Sequence, residues 1–335
     1  MKFGGLIFVL AVLAAAPSAS RADDSDGDCG RIYSEWRVLW AESDAAMPAK
    51  FARCLAAAHA GDQNAQAGVA ITYLDGDAVP QDIQAGMMWL ELAVANDGAM
   101  ALFNLGEMYW QGLWFGSGAR DPLIYDKALA YTRRSAALGF ARAQWSMGRT
   151  YEVGRLLPQD YRIAAAYYQL AADQGYVFAQ RDLAKLLLAG KGVKRDAREA
   201  ARLLHLAAAQ ESYQDSSAWA LANLYAEGRG VERDLAKARH FYEMGIRNVD
   251  WLSHYPLGMM YLRGLGGPKN IEEATTNLWI ASDAGDPRAQ FALGQVYERG
   301  IDVPRDIDAA RELYAEAAAK GHRQAAARLM ALRAR

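Results

Sequence analysis

A five-residue block recurs along most of this chain: Val69-Ala70-Ile71-Thr72-Tyr73, Leu105-Gly106-Glu107-Met108-Tyr109, Met147-Gly148-Arg149-Thr150-Tyr151, Leu183-Ala184-Lys185-Leu186-Leu187, Leu221-Ala222-Asn223-Leu224-Tyr225, Leu257-Gly258-Met259-Met260-Tyr261 and Leu293-Gly294-Gln295-Val296-Tyr297. The blocks end at 73, 109, 151, 187, 225, 261 and 297, a spacing of 36 residues stretched to 42 and 38 at two places. Self-similarity at such a period is the signature of stacked supersecondary units, each too small to bury its apolar face alone. One elongated stack therefore competes with two separate globules for the 335 residues. Disorder is excluded by a composition that is 52% apolar and 23% charged.

Within a period the chain reads as a small-residue helix, a Gly-rich turn ending in Asp, and a second helix rich in Ala and aromatics that stops at Gly. In the fourth period Gln180 to Leu188 is the first helix, Gly190 to Asp196 the turn and Ala197 to Gln210 the second helix. Asp82, Asp160, Asp196, Asp234 and Asp306, with Asn270 as substitute, are placed to cap second helices by accepting their free N–H groups. Gly98, Gly139, Gly175, Gly285 and Gly321 stand where a left-handed residue closes a helix. Gly106, Gly148, Gly258 and Gly294 sit inside first helices, at about 1 kcal/mol each against Ala, and let the second helices approach closely.

The pattern Ala-x-x-x-Leu-Gly-x-x-Tyr, then Gly-x-Gly-Val-x-x-Asp, then Ala-x-x-Trp/Tyr-Tyr-x-x-Ala-Ala-x-x-Gly, met well by Ala218 to Asp234 and by Ala164 to Gly175, resembles that of the Sel-one-like repeats, a subclass of tetratricopeptide-like solenoids. The resemblance covers residues 61–335 and departs from the pattern at Leu187, at Gly266-Gly267-Pro268 and at Trp114-Phe115-Gly116, where the second repeat carries a six-residue insertion. It implies an all-α fold, a right-handed α-solenoid of about seven helix-turn-helix repeats over residues 61–321. Residues 23–60 form an N-terminal helical cap and residues 322–335 a C-terminal capping helix. For function it implies a noncatalytic scaffold or adaptor for a protein or peptide partner, regulating or assembling cell-envelope machinery.

Residues 1–22 read as a cleaved signal peptide: Lys2, an apolar run from Leu6 to Ala16 too short to span a bilayer, and Ser20-Arg21-Ala22 at the cleavage site. The mature chain is expected in the periplasm or outside the cell, with no membrane span. Cys29 and Cys54 are expected to be bridged in that compartment, the chain before Ile32 bending back to bring them together. The alternative is two small apolar side chains, with Cys54 buried. A net charge of −2, or −4 once Lys2 and Arg21 leave with the leader, provides no cationic field for nucleic acid.

No catalytic constellation emerges. The five histidines lack the i, i+4 spacing of a helical metal site, and no phosphate loop, dinucleotide fingerprint or nucleophile elbow is present, so no cofactor, metal or catalytic residue is expected. Cysteine-rich members of the family associated with lactam binding or hydrolysis carry a cysteine pair in nearly every repeat, which this chain lacks along with a Ser-x-x-Lys nucleophile.

What the pattern offers is a surface along the first helices. Two residues before each Leu-Gly position stand Phe103, Trp145, Arg181, Trp219, Tyr255 and Phe291, and two residues after each Leu come Glu107, Arg149, Lys185, Asn223, Met259 and Gln295. The first set also suits packing between repeats; the second varies in charge as a partner-specific surface would. With Trp114 and Phe115 of the insertion, this gives Phe103, Glu107, Trp114, Phe115, Trp145, Arg149, Lys185, Trp219, Asn223 and Tyr255 as candidate partner-binding residues. The rival reading is a carbohydrate-binding module, with Trp145 and Trp219 stacking on sugar rings.

Overall fold

A computed structural model describes residues 47–76, 79–111, 122–210, 216–248 and 250–333. The chain divides into two compact units, one running to Gln174 and the other beginning at Gly175. In the first, α1 (Met47–His59) precedes three helix pairs: α2 (Gln63–Asp75) with α3 (Ile83–Ala95), α4 (Ala99–Gln111) with α5 (Pro122–Ala137), and α6 (Ala141–Val153) with α7 (Tyr161–Asp173). The second unit holds α8 (Val177–Ala189) with α9 (Ala197–Ala208), α10 (Ser217–Glu227) with α11 (Leu235–Arg247), α12 (His254–Arg263) with α13 (Ile271–Asp283), and α14 (Pro287–Arg299) with α15 (Ile307–Ala319). It ends on α16 (Arg323–Arg333), and a 3-10 turn at Trp251–Ser253 leads into α12. No strand occurs among the described residues, and the seven pairs are the repeats of an α-solenoid.

Turn aspartates start the second helices because their side chains occupy donors that the first turn cannot satisfy internally. Asp82 accepts from Ala85 N–H at 2.9 Å, Asp196 from Arg198 and Glu199 at 3.0 Å each, and Asn270 substitutes by accepting from Glu273 N–H at 3.1 Å. At the ends of the second helices Gly139, Gly175, Gly285 and Gly321 are left-handed, but at Gly98 the expectation fails: Asp97 holds the positive φ of 60°. Gly98 stands one residue later, donating to Ala93 O at 2.8 Å, where a Cβ would sit 2.8 Å from that same oxygen. Its role is close approach rather than a left-handed turn. First helices also begin earlier than their apolar pattern suggests, α8 at Val177 rather than Gln180.

Inside each repeat the two helices touch where the first lacks a side chain. A Cβ on Gly258 would lie 2.9 Å from Leu278 Cγ and 3.2 Å from Ala274 O, so α12 and α13 are in van der Waals contact there. Buried glutamines add directional ties. Gln66 Nε2 donates to Ala58 O at 3.1 Å and Gln144 Nε2 to Ala136 O at 3.3 Å, each joining a first helix to the chain eight residues earlier. Gln144 Oε1 in turn accepts from Gln174 Nε2 at 2.7 Å. Amides so placed satisfy carbonyls at helix ends that would otherwise be stranded.

At one end of the described chain α1 packs Cys54 and Ala58 against Ala65 and Val69 of α2. The part of the expected N-terminal cap before Met47, Cys29 included, lies outside the described residues, as does the leader. At the other end α16 covers Ala310, Tyr314 and Ala317 of α15 with Ala325 and Leu332. The buried Glu298 carboxylate accepts from Tyr314 Oη at 2.9 Å and Arg328 Nε at 2.7 Å, which ties α16 to α14. Its hydrogen bond to Arg328 holds the Glu298 carboxyl below the usual range despite burial, while burial and Glu298 push the Tyr314 phenol up.

Candidate functional site

A depression of the first unit lies between α4 and α6, above α5, with a volume of about 400 Å³. Helical spacing builds both walls. From α4 come Phe103, Gly106, Glu107 and Trp110, at i, i+3, i+4 and i+7; from α6 come Arg142, Trp145, Ser146, Arg149 and Val153, one stripe across three turns. Leu129 and Thr132 of α5 form the floor, and Arg155 and Leu156 of the turn after α6 close one end. Gly106 lets the floor approach the wall: a Cβ there would stand 2.9 Å from Thr132 Oγ1.

Two guanidinium groups in this groove are held against aromatic rings. Arg142 lies 5.1 Å from the ring centre of Phe103 and Arg149 the same distance from that of Trp145. Contacts of this kind contribute roughly 0.5–1 kcal/mol at exposed sites and fix the cation's position. Glu107 is half-buried, and burial raises its carboxyl above the ordinary value, against the pull of Arg142. Trp110 is 48% exposed and meets Tyr125 edge to face at 5.4 Å, while Val153 and Leu156 are exposed beside it. The groove thus combines fixed cations, one carboxylate reluctant to ionise and an open apolar surface. Among the described residues no three His, Cys, Asp or Glu side chains gather as metal ligands would, and no helix is long and apolar enough to cross a membrane.

Comparison with known proteins fits this architecture. The Sel1 repeat profile matches seven consecutive stretches, 63–97, 99–140, 141–176, 177–212, 215–250, 251–286 and 287–322. The chain belongs to the Sel1 repeat family. Sel1 repeat proteins generally mediate protein–protein interaction, and the scaffold is generally noncatalytic. A protective antigen of uropathogenic Escherichia coli strains displaying an SLR fold is 26% identical, with a TM-score of 0.70, over 84% of this chain and 59% of its own. A Sel1 repeat protein from Oxalobacter formigenes shares the fold at 24% identity and a TM-score of 0.59, over 68% of this chain and 86% of its own. A stretch of 56 residues is 45% identical to the ERAD-associated E3 ubiquitin-protein ligase component HRD3B of Arabidopsis thaliana, a match spanning 16% of this chain and 9% of the plant protein.

The Sel1 repeats place the candidate residues in two groups. Phe103, Glu107, Trp145 and Arg149 come together in the first-unit groove, whereas Lys185, Trp219, Asn223 and Tyr255 belong to the second unit. Phe103 is 2% exposed and packs on Phe140 at 5.5 Å, so its ring is core and supports Arg142 rather than meeting a partner. Asn223 is also spent internally: Nδ2 donates to Trp219 O at 2.9 Å and Oδ1 accepts from Tyr242 Oη at 2.8 Å. Burial pushes that Tyr242 phenol up to about 12. Lys185 Nζ pairs with Asp182 Oδ1 at 2.9 Å, and Tyr255 packs on the Leu278 and Leu293 core with Arg288 4.5 Å above its ring. Trp114 and Phe115 lie outside the described residues.

Sequence reasoning missed Arg142, Arg155 and Trp110. The signal was present, since Arg142 precedes Trp145 by three residues and Trp110 follows Phe103 by seven, each one face of its helix. Comparing two fixed positions per repeat passed over residues special to one repeat.

Proposed function

We propose that this Sel1 repeat protein is an exported, noncatalytic adaptor whose first-unit groove holds a protein or peptide partner of the cell envelope. The observation that carries the reading is the groove itself: two arginines held over aromatic rings beside the half-exposed Trp110, an arrangement that leaves charge and apolar area open together. Aromatic and arginine side chains concentrate binding energy at interfaces, and a protein-interaction scaffold has no catalytic use for them. Trp114 and Phe115, which follow Trp110 in the chain, are proposed as further partner contacts.

Export rests on the leader at residues 1–22, and the oxidising compartment it implies supports a bridge between Cys29 and the buried Cys54. The carbohydrate alternative is weaker, because the amide of Asn223 that would serve a sugar is committed to Trp219 and Tyr242.

The test pairs a pull-down from envelope extract with a glycan array, using mature protein and its Trp110→Ala variant. A partner captured by the former and lost in the variant, with no glycan bound, supports the adaptor; glycan binding without a protein partner overturns it. Intact mass of the secreted protein, starting near Asp23, tests export.

A further inference from the structure

Arg142 and Arg149 stand seven residues apart on one face of α6, which at 1.5 Å per residue places their Cα atoms roughly 10 Å from each other along the helix. An extended peptide in the polyproline II conformation advances about 3.1 Å per residue and turns once every three residues, so side chains three positions apart in it share a face and span nearly the same length. Both guanidinium groups lie over aromatic rings, 5.1 Å from the centres of Phe103 and Trp145, and each cation is held in place by that contact. The planar fork of N–H donors at its edge is the part that matches a carboxylate. Arg155 adds a third cation to the lining, against one carboxylate among the described lining residues, that of Glu107 on the facing wall. Trp110, Val153 and Leu156 add exposed apolar surface to the same lining.

We infer that the groove takes an extended acidic peptide segment whose two carboxylates, three residues apart, reach Arg142 and Arg149 while an apolar side chain rests on Trp110 and Val153. The inference rests on the proposed adaptor reading and gives its partner a chemistry. The two arginines are not equivalent. Glu107 interacts electrostatically with Arg142, whereas Arg149 has no carboxylate within ion-pair distance among the described residues. Arg149 therefore carries the larger share, and Glu107, a like charge to the ligand, works against it.

The test is selection of a random dodecapeptide library on the whole mature protein, followed by affinity measurements with one enriched peptide. Enriched peptides should carry Asp or Glu pairs three residues apart. Their affinity should fall roughly tenfold or more in Arg149→Ser, fall less in Arg142→Ser, and rise severalfold in Glu107→Gln. It should also weaken steeply with added salt. Because Glu107→Gln is expected to strengthen binding, a general loss of folding cannot imitate the full pattern. Enrichment of neutral or basic peptides that are lost in Val153→Glu would overturn the acidic chemistry while leaving the groove as the docking site. Peptides indifferent to every groove substitution, or no enrichment at all, would overturn both.

Discussion

The guanidinium of Arg149 lies 5.1 Å from the ring centre of Trp145, one helical turn earlier on the same face of α6. The pair is local to one helix, so removing it should disturb little else. Arg149→Ala is expected to leave helix content unchanged and to cost at most about 1 kcal/mol of stability. It should nevertheless weaken the native partner by about 2 kcal/mol, roughly thirtyfold. Circular dichroism and a partner titration on the same variant check both; a loss of melting temperature without a loss of affinity would make Arg149 a packing residue.

Glu107 supplies a pH signature. Burial raises its carboxyl above the ordinary 4.5, with Arg142 opposing, so the folded protein prefers the protonated form more than the unfolded chain does. The stabilising contribution is complete below pH 4.5 and is lost as pH rises through the higher folded value. Glu107→Gln keeps the neutral form at every pH. The variant should melt roughly 1–3 °C above the parent at neutral pH, with the difference vanishing in acid. Paired thermal melts at the two pH values measure it, and an equal or lower melting temperature at neutral pH would contradict the assignment.

Gly258 tests the stacking of the repeats. A Cβ there already meets Leu278 at 2.9 Å, so Gly258→Val must push α12 away from α13 at a cost of roughly 1–3 kcal/mol. In a repeat array that damage stays with the neighbours. Hydrogen exchange should show protection lost in α12 and α13 and kept in α2 to α7, and unfolding should broaden into more than one step. Uniform loss of protection along the chain would refute nearest-neighbour stability.

A bridge between Cys29 and Cys54 closes a loop of about 25 residues and should stabilise the N-terminal segment by roughly 3 kcal/mol. Alkylation of protein from its native compartment, without reductant, should label no cysteine. Two labelled cysteines in that experiment would refute the bridge.

The fold was legible because its determinants are local and repeated. A capping Asp or Asn starts six of the second helices, as Asp196 does, and a small residue recurs at the register of Gly258 in all seven first helices, so the copies reinforce one another. The site was only half legible for the opposite reason. Periodicity puts Phe103 and Trp145 at the same register, but Phe140 covers the first and leaves it 2% exposed, while the second stays half-buried beneath Arg149. Likewise Glu107 and Asn223 share a register, and only the neighbouring Tyr242 decides that Asn223 turns inward. What a register position does depends on the side chain of the next helix, which no single period records. Gly98 misled for a related reason: a turn glycine is as useful for close approach as for a positive φ, and here Asp97 takes the left-handed position.

The partner is proposed to dock between α4 and α6. Docking there is tested most directly by placing a photo-crosslinking amino acid at Val153, exposed on the groove, and at Met88, 71% exposed on α3 and outside it, in the full protein in its native host. A discrete adduct is expected from position 153 that disappears when Arg149→Glu is added, and none of the same mass from position 88. Adducts of equal yield from both positions, or an adduct from 153 that survives Arg149→Glu, would contradict docking in the groove.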